Sequence, residues 1–143
     1  MRWPVTDPPA RAPESIEGVL DVRRFGGDGP AGLLIELPHG ATERAHYDAV
    51  AARLKSPLPA RLEQFFHVNT DFGVPELARE VAARLTGSAR KASARGVVVV
   101  RALVPRTFID FNRVIGEGAQ TGMTPGLQPY ITAANDRDLL LSL

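Results

Sequence analysis

The segment that most constrains the fold is the apolar run from Val97 to Val104. Valine fills most of it, and only Arg101 and Ala102 interrupt the larger apolar side chains. A run of this kind is typical of a strand that is buried on both faces, as in a largely parallel sheet. Pro105 ends the run, because proline has no amide hydrogen to give to a central ladder. We therefore predict an α/β fold built around this strand.

Composition narrows the class of protein. A chain of 143 residues is long enough for one domain with a core of its own. The charges nearly cancel at net +1 and the arginines are scattered, so we expect no nucleic-acid partner. Cysteine is absent, which excludes a disulfide framework and a thiol nucleophile, and any metal would have to be held by histidine and carboxylate side chains. No apolar run has the length of a membrane span and the N-terminus lacks the apolar segment of a secretory signal, so we expect a cytoplasmic protein with no membrane partner.

The order of apolar and turn residues predicts the elements before the central strand. Residues 1–13 are rich in proline and are expected to form a flexible N-terminal arm, with residues 14–143 forming a single domain. Strand-like patterns at Ile16–Phe25 and Leu33–Leu37 flank a glycine-rich turn, which predicts a β-hairpin.

The spacing of apolar residues and the positions of cap residues predict further helices and one more strand. Apolar residues recur at helical spacing between Ala45 and Leu54, and again after Pro75, which suits the first turn of a helix. Between these helices, residues 65–71 are expected to form a short strand. A last helix is predicted to begin with Asn135 or Asp136 as its N-cap.

Polar residues follow three of the predicted strands. His39 comes two residues after Leu37, Asp71 ends the segment 65–71, and the central strand is followed by a dense group: Arg106, Thr107, Asp110, Asn112 and Arg113. Ligands of open α/β sheets bind just beyond the carboxyl ends of strands, so we expect these side chains to meet around one site.

Simpler interpretations remain open at this point. His39 can be an incidental loop histidine, and Asp71 can be a turn-forming residue before a helix. Asp110 can orient an arginine or form a turn, and the whole block from Arg106 to Arg113 can be a structural ion network. His46 and His67 are interpreted as structural or surface residues.

Four blocks together give the chain a family resemblance: Pro38-His-Gly-Ala41, Asn69-Thr-Asp71, Pro105-Arg-Thr-Phe-Ile-Asp-Phe-Asn-Arg113 and Gly122-Met-Thr-Pro-Gly-Leu-Gln-Pro-Tyr130. In order and spacing, over about residues 30–143, they resemble the N-formylglutamate amidohydrolases, zinc hydrolases with the fold of zinc carboxypeptidases and aspartoacylases. The resemblance implies a three-layer α/β sandwich with a central mixed, mostly parallel sheet.

The resemblance also implies roles for individual residues. His39 and Asp71 would bind zinc, although the related carboxypeptidases have their acidic ligand three residues after the histidine, where this chain has Thr42. Arg106 would polarise the scissile carbonyl, and Asn112 with Arg113 would hold the carboxylate of the substrate. The family's third zinc ligand, a histidine, and its catalytic glutamate fall beyond Leu143. We therefore expect the chain to be the N-terminal part of the hydrolase domain, with an incomplete centre of its own.

The expected reaction is zinc-dependent hydrolysis of the amide of an N-formyl or other N-acyl acidic amino acid, such as N-formylglutamate, as a step of amino-acid catabolism. Zinc suits this reaction because it lowers the pKa of its bound water to about 7. Two alternatives stay open. One is a zinc deacylase of the same fold that removes a different acyl group, and the other is a non-catalytic domain that binds carboxylates without metal. The sequence does not predict an oligomeric state.

Overall fold

The computed structural model describes residues 14–27, 29–87, 96–112 and 122–143. The predicted arm at residues 1–13 and Arg113 therefore lie outside the described residues. The described elements are, in chain order, β1 (Leu20–Phe25), β2 (Ala31–Leu37), α1 (Arg44–Ala51), α2 (Leu62–Val68), α3 (Val74–Gly87), β3 (Gly96–Ala102), a 3-10 helix (Gln128–Tyr130) and α4 (Ala134–Leu141).

The valine-rich strand β3 lies in the middle of a three-stranded sheet of order β1-β3-β2. It runs antiparallel to β1 and parallel to β2, so the described sheet is mixed. The predicted hairpin is wrong, because β1 and β2 do not pair with each other. The central position buries Val97, Val98 and Val99, while β1 and β2 keep more exposed side chains at the edges. With its helices, this mixed sheet makes the described chain an α/β protein.

Helix α3 covers one face of the sheet. Ala78 and Ala82 pack against Leu37, Val97 and Val99, and these small side chains allow the helix to lie close to the strands. The helix predicted after Pro75 is thus confirmed, with Pro75 buried in its first turn.

A second core is formed by α1, α2, α4 and two further segments, one that ends before residue 113 and one that begins after residue 121. Its buried members are Tyr47, Val50, Leu62, Phe66, Val104, Phe108, Ile109, Met123, Leu127 and Leu140. The strand predicted for residues 65–71 is wrong, because this part of the chain ends helix α2. Leu62 and Phe66 are one helical turn apart and both are buried, whereas Val68, which a strand would place on the same face as Phe66, is 81% exposed.

The start of α4 also differs from the prediction. Ala133, not Asn135 or Asp136, is the N-cap residue. Asp136 lies inside the first turn and is buried, and its carboxylate accepts hydrogen bonds from the backbone amides of Lys55 at 2.8 Å and Ser56 at 2.5 Å. The carboxylate joins the loop at residues 55–56 to the helix. It is therefore not available as the N-cap of α4. In the part of the chain that the structure describes, no helix combines the length and apolar character needed to span a bilayer.

Candidate functional site

The topology brings three segments to one edge of the sheet. Leu37 at the end of β2 pairs in register with Arg101 near the end of β3, so the loops that follow these strands start side by side. Helix α3 runs back across the sheet, because Thr86 in its last turn lies close to Gly26 and to the start of β3. The N-terminal end of α3, with Asp71 just before it, therefore lies at the carboxyl edge of β2 and β3.

The imidazole of His39 lies between two carboxylates at this edge. Its Nδ1 atom is 3.2 Å from Oδ2 of Asp71, and its Nε2 atom is 3.2 Å from Oδ1 of Asp110. The His39 residue is 8% exposed, the Asp110 side chain 5% and the Asp71 side chain 53%. The ring thus has a buried carboxylate on one side and a solvent-accessible one on the other.

Local structure after β3 fixes the buried carboxylate. Pro105 begins a helical turn, with its carbonyl accepting from the amides of Phe108 and Ile109, and this turn places Arg106 and Asp110 four residues apart on one side. The amide of Asp110 donates to the carbonyl of Gly122 at 2.7 Å. The backbone of Asp110 is therefore fixed by the helical turn that precedes it and by the hydrogen bond to Gly122.

The two oxygens of Asp110 have several partners. The Nε atom of Arg106 donates to Oδ2 at 3.3 Å, and the backbone amide of Asn112 donates to Oδ1 at 3.1 Å. The Asn112 side chain also reaches the ring, with its amide 3.3 Å from Nε2 of His39. Asp110 consequently links the imidazole, one guanidinium and the segment that carries Asn112.

These contacts limit where a neutral imidazole can carry its proton. An ionised carboxylate only accepts hydrogen bonds, so a neutral His39 can donate to one of its two aspartates, and we assign the proton to Nε2 because Asp110 is the buried carboxylate of the two. The structure places the side-chain nitrogen of Asn112 at Nε2, and a proton on Nε2 requires the exchanged amide orientation, with the oxygen toward the ring, which the near-equivalence of amide oxygen and nitrogen allows. In the neutral ring, Nδ1 therefore presents a lone pair to a carboxylate oxygen of Asp71. With the proton on Nε2, Nδ1 and the Asp71 oxygen are two acceptors 3.2 Å apart, which a cation between them can bridge, whereas with the proton on Nδ1 the contact is an ordinary hydrogen bond.

The spacing of this pair is that of a hydrogen bond, and it is also close to that of two ligands of one metal ion. In tetrahedral zinc sites the Zn–N and Zn–O bonds are about 2.0–2.2 Å long, which separates two neighbouring ligand atoms by roughly 3.3 Å. The separation of 3.2 Å between His39 Nδ1 and Asp71 Oδ2 is close to that edge. Across residues 14–27, 29–87, 96–112 and 122–143, no group of three or more His, Cys, Asp or Glu side chains is arranged to hold a metal. The described residues thus offer two ligand positions.

The structure brings together four of the five candidate residues, namely His39, Asp71, Arg106 and Asn112. Arg113 is outside the described residues, so its role stays a prediction. Sequence reasoning gave Asp110 no place at the histidine. The burial of its carboxylate and its contact with a ring 71 residues earlier in the chain are visible only in the structure.

The other two histidines lie elsewhere. His67 is exposed on α2. His46 is in the first turn of α1, where its Nδ1 atom accepts from the backbone amide of Glu43 at 3.1 Å. Burial lowers the pKa of His46 below its ordinary value and nearby Arg101 adds to this, while Glu43 acts in the opposite direction. A neutral His46 suits its role as an acceptor in the capping of α1.

In comparisons with known proteins, no protein-family model, no curated protein and no solved structure matches the chain. The function must therefore be argued from the geometry at the carboxyl edge and from the residue pattern that first suggested it.

Proposed function

We propose that the chain contributes to a metal-dependent amidohydrolase centre that cleaves the amide of an N-formyl or other N-acyl acidic amino acid. With N-formylglutamate the products would be formate and glutamate. The supporting observation is the His39 imidazole, held at Nε2 by buried Asp110 and faced at Nδ1 by an oxygen of solvent-accessible Asp71. The four-block resemblance supports the same reaction, and with it a zinc-exopeptidase-like three-layer sandwich around a mostly parallel sheet.

His39 and Asp71 would hold the metal through Nδ1 and Oδ2. Asp110 would act on the histidine, because a carboxylate that accepts from the second ring nitrogen fixes the tautomer, aims the ring and increases its basicity as a ligand. A bound zinc ion supplies water of pKa near 7 and polarises a carbonyl group. The exposure of Asp71 leaves the metal position accessible to a substrate from solvent.

Arg106 would stabilise the negative charge that develops on the scissile carbonyl oxygen. One nitrogen of its guanidinium is used by Asp110, and the side chain is partly exposed, so other N–H groups can face a ligand. A well-placed donor of this kind contributes roughly 3–4 kcal/mol to transition-state stabilisation in other hydrolases. Because Asp110 holds both Arg106 and His39, it would set their relative positions.

Asn112 and Arg113 would bind the carboxylate of the amino acid. The amide nitrogen of Asn112 lies 3.3 Å from Nε2 of His39, and in the exchanged amide orientation, with the oxygen toward the ring, both N–H donors are left for a ligand. The role of Arg113 comes from the resemblance alone. A guanidinium can grip a carboxylate with two parallel hydrogen bonds, which a lysine cannot reproduce.

Formate release from N-formylglutamate tests the proposal. Once the centre to which the chain contributes is complete, we expect turnover with added zinc, loss of turnover after chelation, and its recovery when zinc is restored. His39→Ala should abolish turnover, while His67→Ala, which removes an exposed histidine on α2, should leave it unchanged. Preference for N-acetyl or N-succinyl substrates would indicate a deacylase with a different acyl group. Absence of both zinc binding and turnover would contradict the proposal.

A second candidate is a metal-free domain that binds carboxylates. It is favoured by the presence of only two ligand positions in the described part of the chain, and by the two aspartates that flank the His39 ring and hold it without a metal. This candidate predicts that N-formylglutamate binds in the presence of a chelator and that Arg106→Gln weakens this binding. The hydrolase predicts zinc at near-stoichiometric content in the purified protein.

A further inference from the structure

Arg101 is the only charged residue in β3, and its side chain is 15% exposed. Burying a guanidinium is costly unless its N–H groups find acceptors. The closest cross-strand carboxylate in register is that of Asp21 on β1, yet Asp21 accepts from Arg23 at 2.9 Å. The acceptors of Arg101 lie in the loop that carries His39.

Three hydrogen bonds join Arg101 to that loop. Its Nε atom donates to the carbonyl of Gly40 at 2.7 Å, and one terminal nitrogen lies 3.2 Å from both Oγ1 of Thr42 and Oε1 of Glu43. The contacts thus reach from the residue next to His39 to the N-cap of α1. They hold the loop at several points along its length.

Gly40 brings the loop down onto the stem of the arginine. A Cβ atom at Gly40 would lie 2.6 Å from Cγ of Arg101 and 3.0 Å from the carbonyl oxygen of Leu37. No side chain fits there without movement of the loop or of the arginine. Gly40 and Arg101 therefore form one packed unit directly beside His39.

We infer that Arg101 is a positioning residue that fixes the loop of residues 38–43, so that the His39 ring reaches Asp71 and Asp110 together. The amide of Gly40 donates to the carbonyl of Leu37 at 3.1 Å and closes the turn at His39, and Arg101 ties the loop to the central strand. The effect on hydrolysis rests on the proposed function. The effect on the orientation of His39 does not, because it follows from the contacts alone.

Arg101→Gln tests the inference, with Thr42→Val as a milder variant that removes one loop acceptor and keeps the side-chain volume. Arg23→Gln is the matched control, because Arg23 lies on the neighbouring strand and bonds to Asp21 on that same strand. Each protein is examined for thermal unfolding, for the imidazole NMR signals of His39 without metal, for its affinity for zinc alone, and for kcat and KM.

We expect Arg101→Gln to shift or broaden the His39 ring signals and to weaken zinc binding by up to about 10-fold, the lower end of the loss caused by removing a direct partner of a metal ligand in other sites. Thr42→Val should act in the same direction with a smaller change, and Arg23→Gln should leave both quantities as in the wild type. Unchanged His39 signals in a folded Arg101→Gln protein would overturn the inference, even if its unfolding temperature fell.

Two results need separate interpretation. If Arg101→Gln does not fold, Thr42→Val decides the matter, and unchanged His39 signals in that variant overturn the inference. If the wild type neither binds zinc nor releases formate, the proposed function fails. The positioning of His39 is still supported or overturned in that case by the ring signals alone.

Discussion

Two buried aspartates, Asp110 and Asp136, show how differently the same side chain is used in this molecule. Both are almost inaccessible to solvent. Asp136 accepts from the backbone amides of Lys55 and Ser56, whereas Asp110 contacts the side chains of His39 and Arg106 as well as one backbone amide. The donors to Asp136 are backbone amides, which keep their protons, and this carboxylate joins two segments of the chain. Asp110 faces groups that can change protonation or contact a ligand.

The electrostatics of Asp136 agree with a structural role. Hydrogen bonding from Ser56, supported by the Lys55 and Ser56 amides, outweighs the effect of burial and lowers the pKa of the Asp136 carboxyl below its ordinary value. The hydroxyl oxygen of Ser56 also accepts from the amides of Thr132 and Ala133 at the start of α4. The whole cluster joins the loop after α1 to α4.

The largest expected effect comes from Asp71, the exposed partner of His39. We expect Asp71→Asn to weaken zinc binding by more than the roughly 100-fold that marks loss of an outer-shell partner, because a direct ligand is lost. The unfolding temperature should change little, since the side chain is about half exposed. Calorimetric zinc titration and thermal unfolding measure both quantities. Zinc affinity equal to that of the wild type would remove Asp71 from the site.

Asp110→Asn should have the next largest effect. The substitution keeps the shape of the side chain but removes the charge that fixes the His39 tautomer and holds Arg106, so we expect a 10- to 100-fold loss of zinc affinity. The free energy of unfolding should fall by about 1–3 kcal/mol as charge-assisted hydrogen bonds are weakened. Denaturant unfolding and zinc titration on the same sample test this. An effect on stability with zinc affinity intact would make Asp110 a second structural aspartate like Asp136.

Asp136→Asn should give the reverse pattern. Its amide can replace only part of what the carboxylate accepts from Lys55 and Ser56, so the unfolding temperature should fall by a few degrees. Zinc affinity and formate release should equal those of the wild type at temperatures where the variant is folded. A selective loss of zinc binding would break the distinction between the two aspartates.

The smallest expected effect is a dependence of stability on pH that centres on His46. Because the pKa of His46 is lowered in the folded state, the unfolded chain binds more protons below about pH 6.5, and stability falls as the pH drops through that range. Above it, the contribution is fully present. His46→Gln should flatten this part of the curve of unfolding free energy against pH. Asp136 adds a separate loss in stronger acid, below the ordinary pKa of aspartate.

Parts of the fold could be predicted because they depend on local pattern. The valine run of β3 and the proline at the start of α3 each specify an element without reference to the rest of the chain. The pairing of β1 with β3 rather than β2 is a non-local choice, and the glycine turn between β1 and β2 carried no information about it. The short apolar run around Phe66 fits a helix or a strand equally well by length, and only its burial pattern decides between them.

Part of the candidate site could also be predicted, because the position of a residue just after a strand is a local property of the sequence. His39 and Arg106 were placed correctly at the ends of strands, while Asp71 reached the same edge after a helix rather than after the predicted strand. The contacts of Asp110 and Arg101 could not be predicted, because they depend on which atoms meet across more than 50 residues of sequence. Residue spacing does not specify the hydrogen-bond partner of each imidazole nitrogen.

Zinc titration of the protein with nitrogen-15 in its histidines, followed through the His39 ring, tests the central claim most directly. The account predicts that one equivalent of zinc shifts the Nδ1 signal of His39, while Nε2 keeps its proton in the hydrogen bond to Asp110. A His39 ring that does not respond to zinc, or one that binds zinc through Nε2, would contradict it.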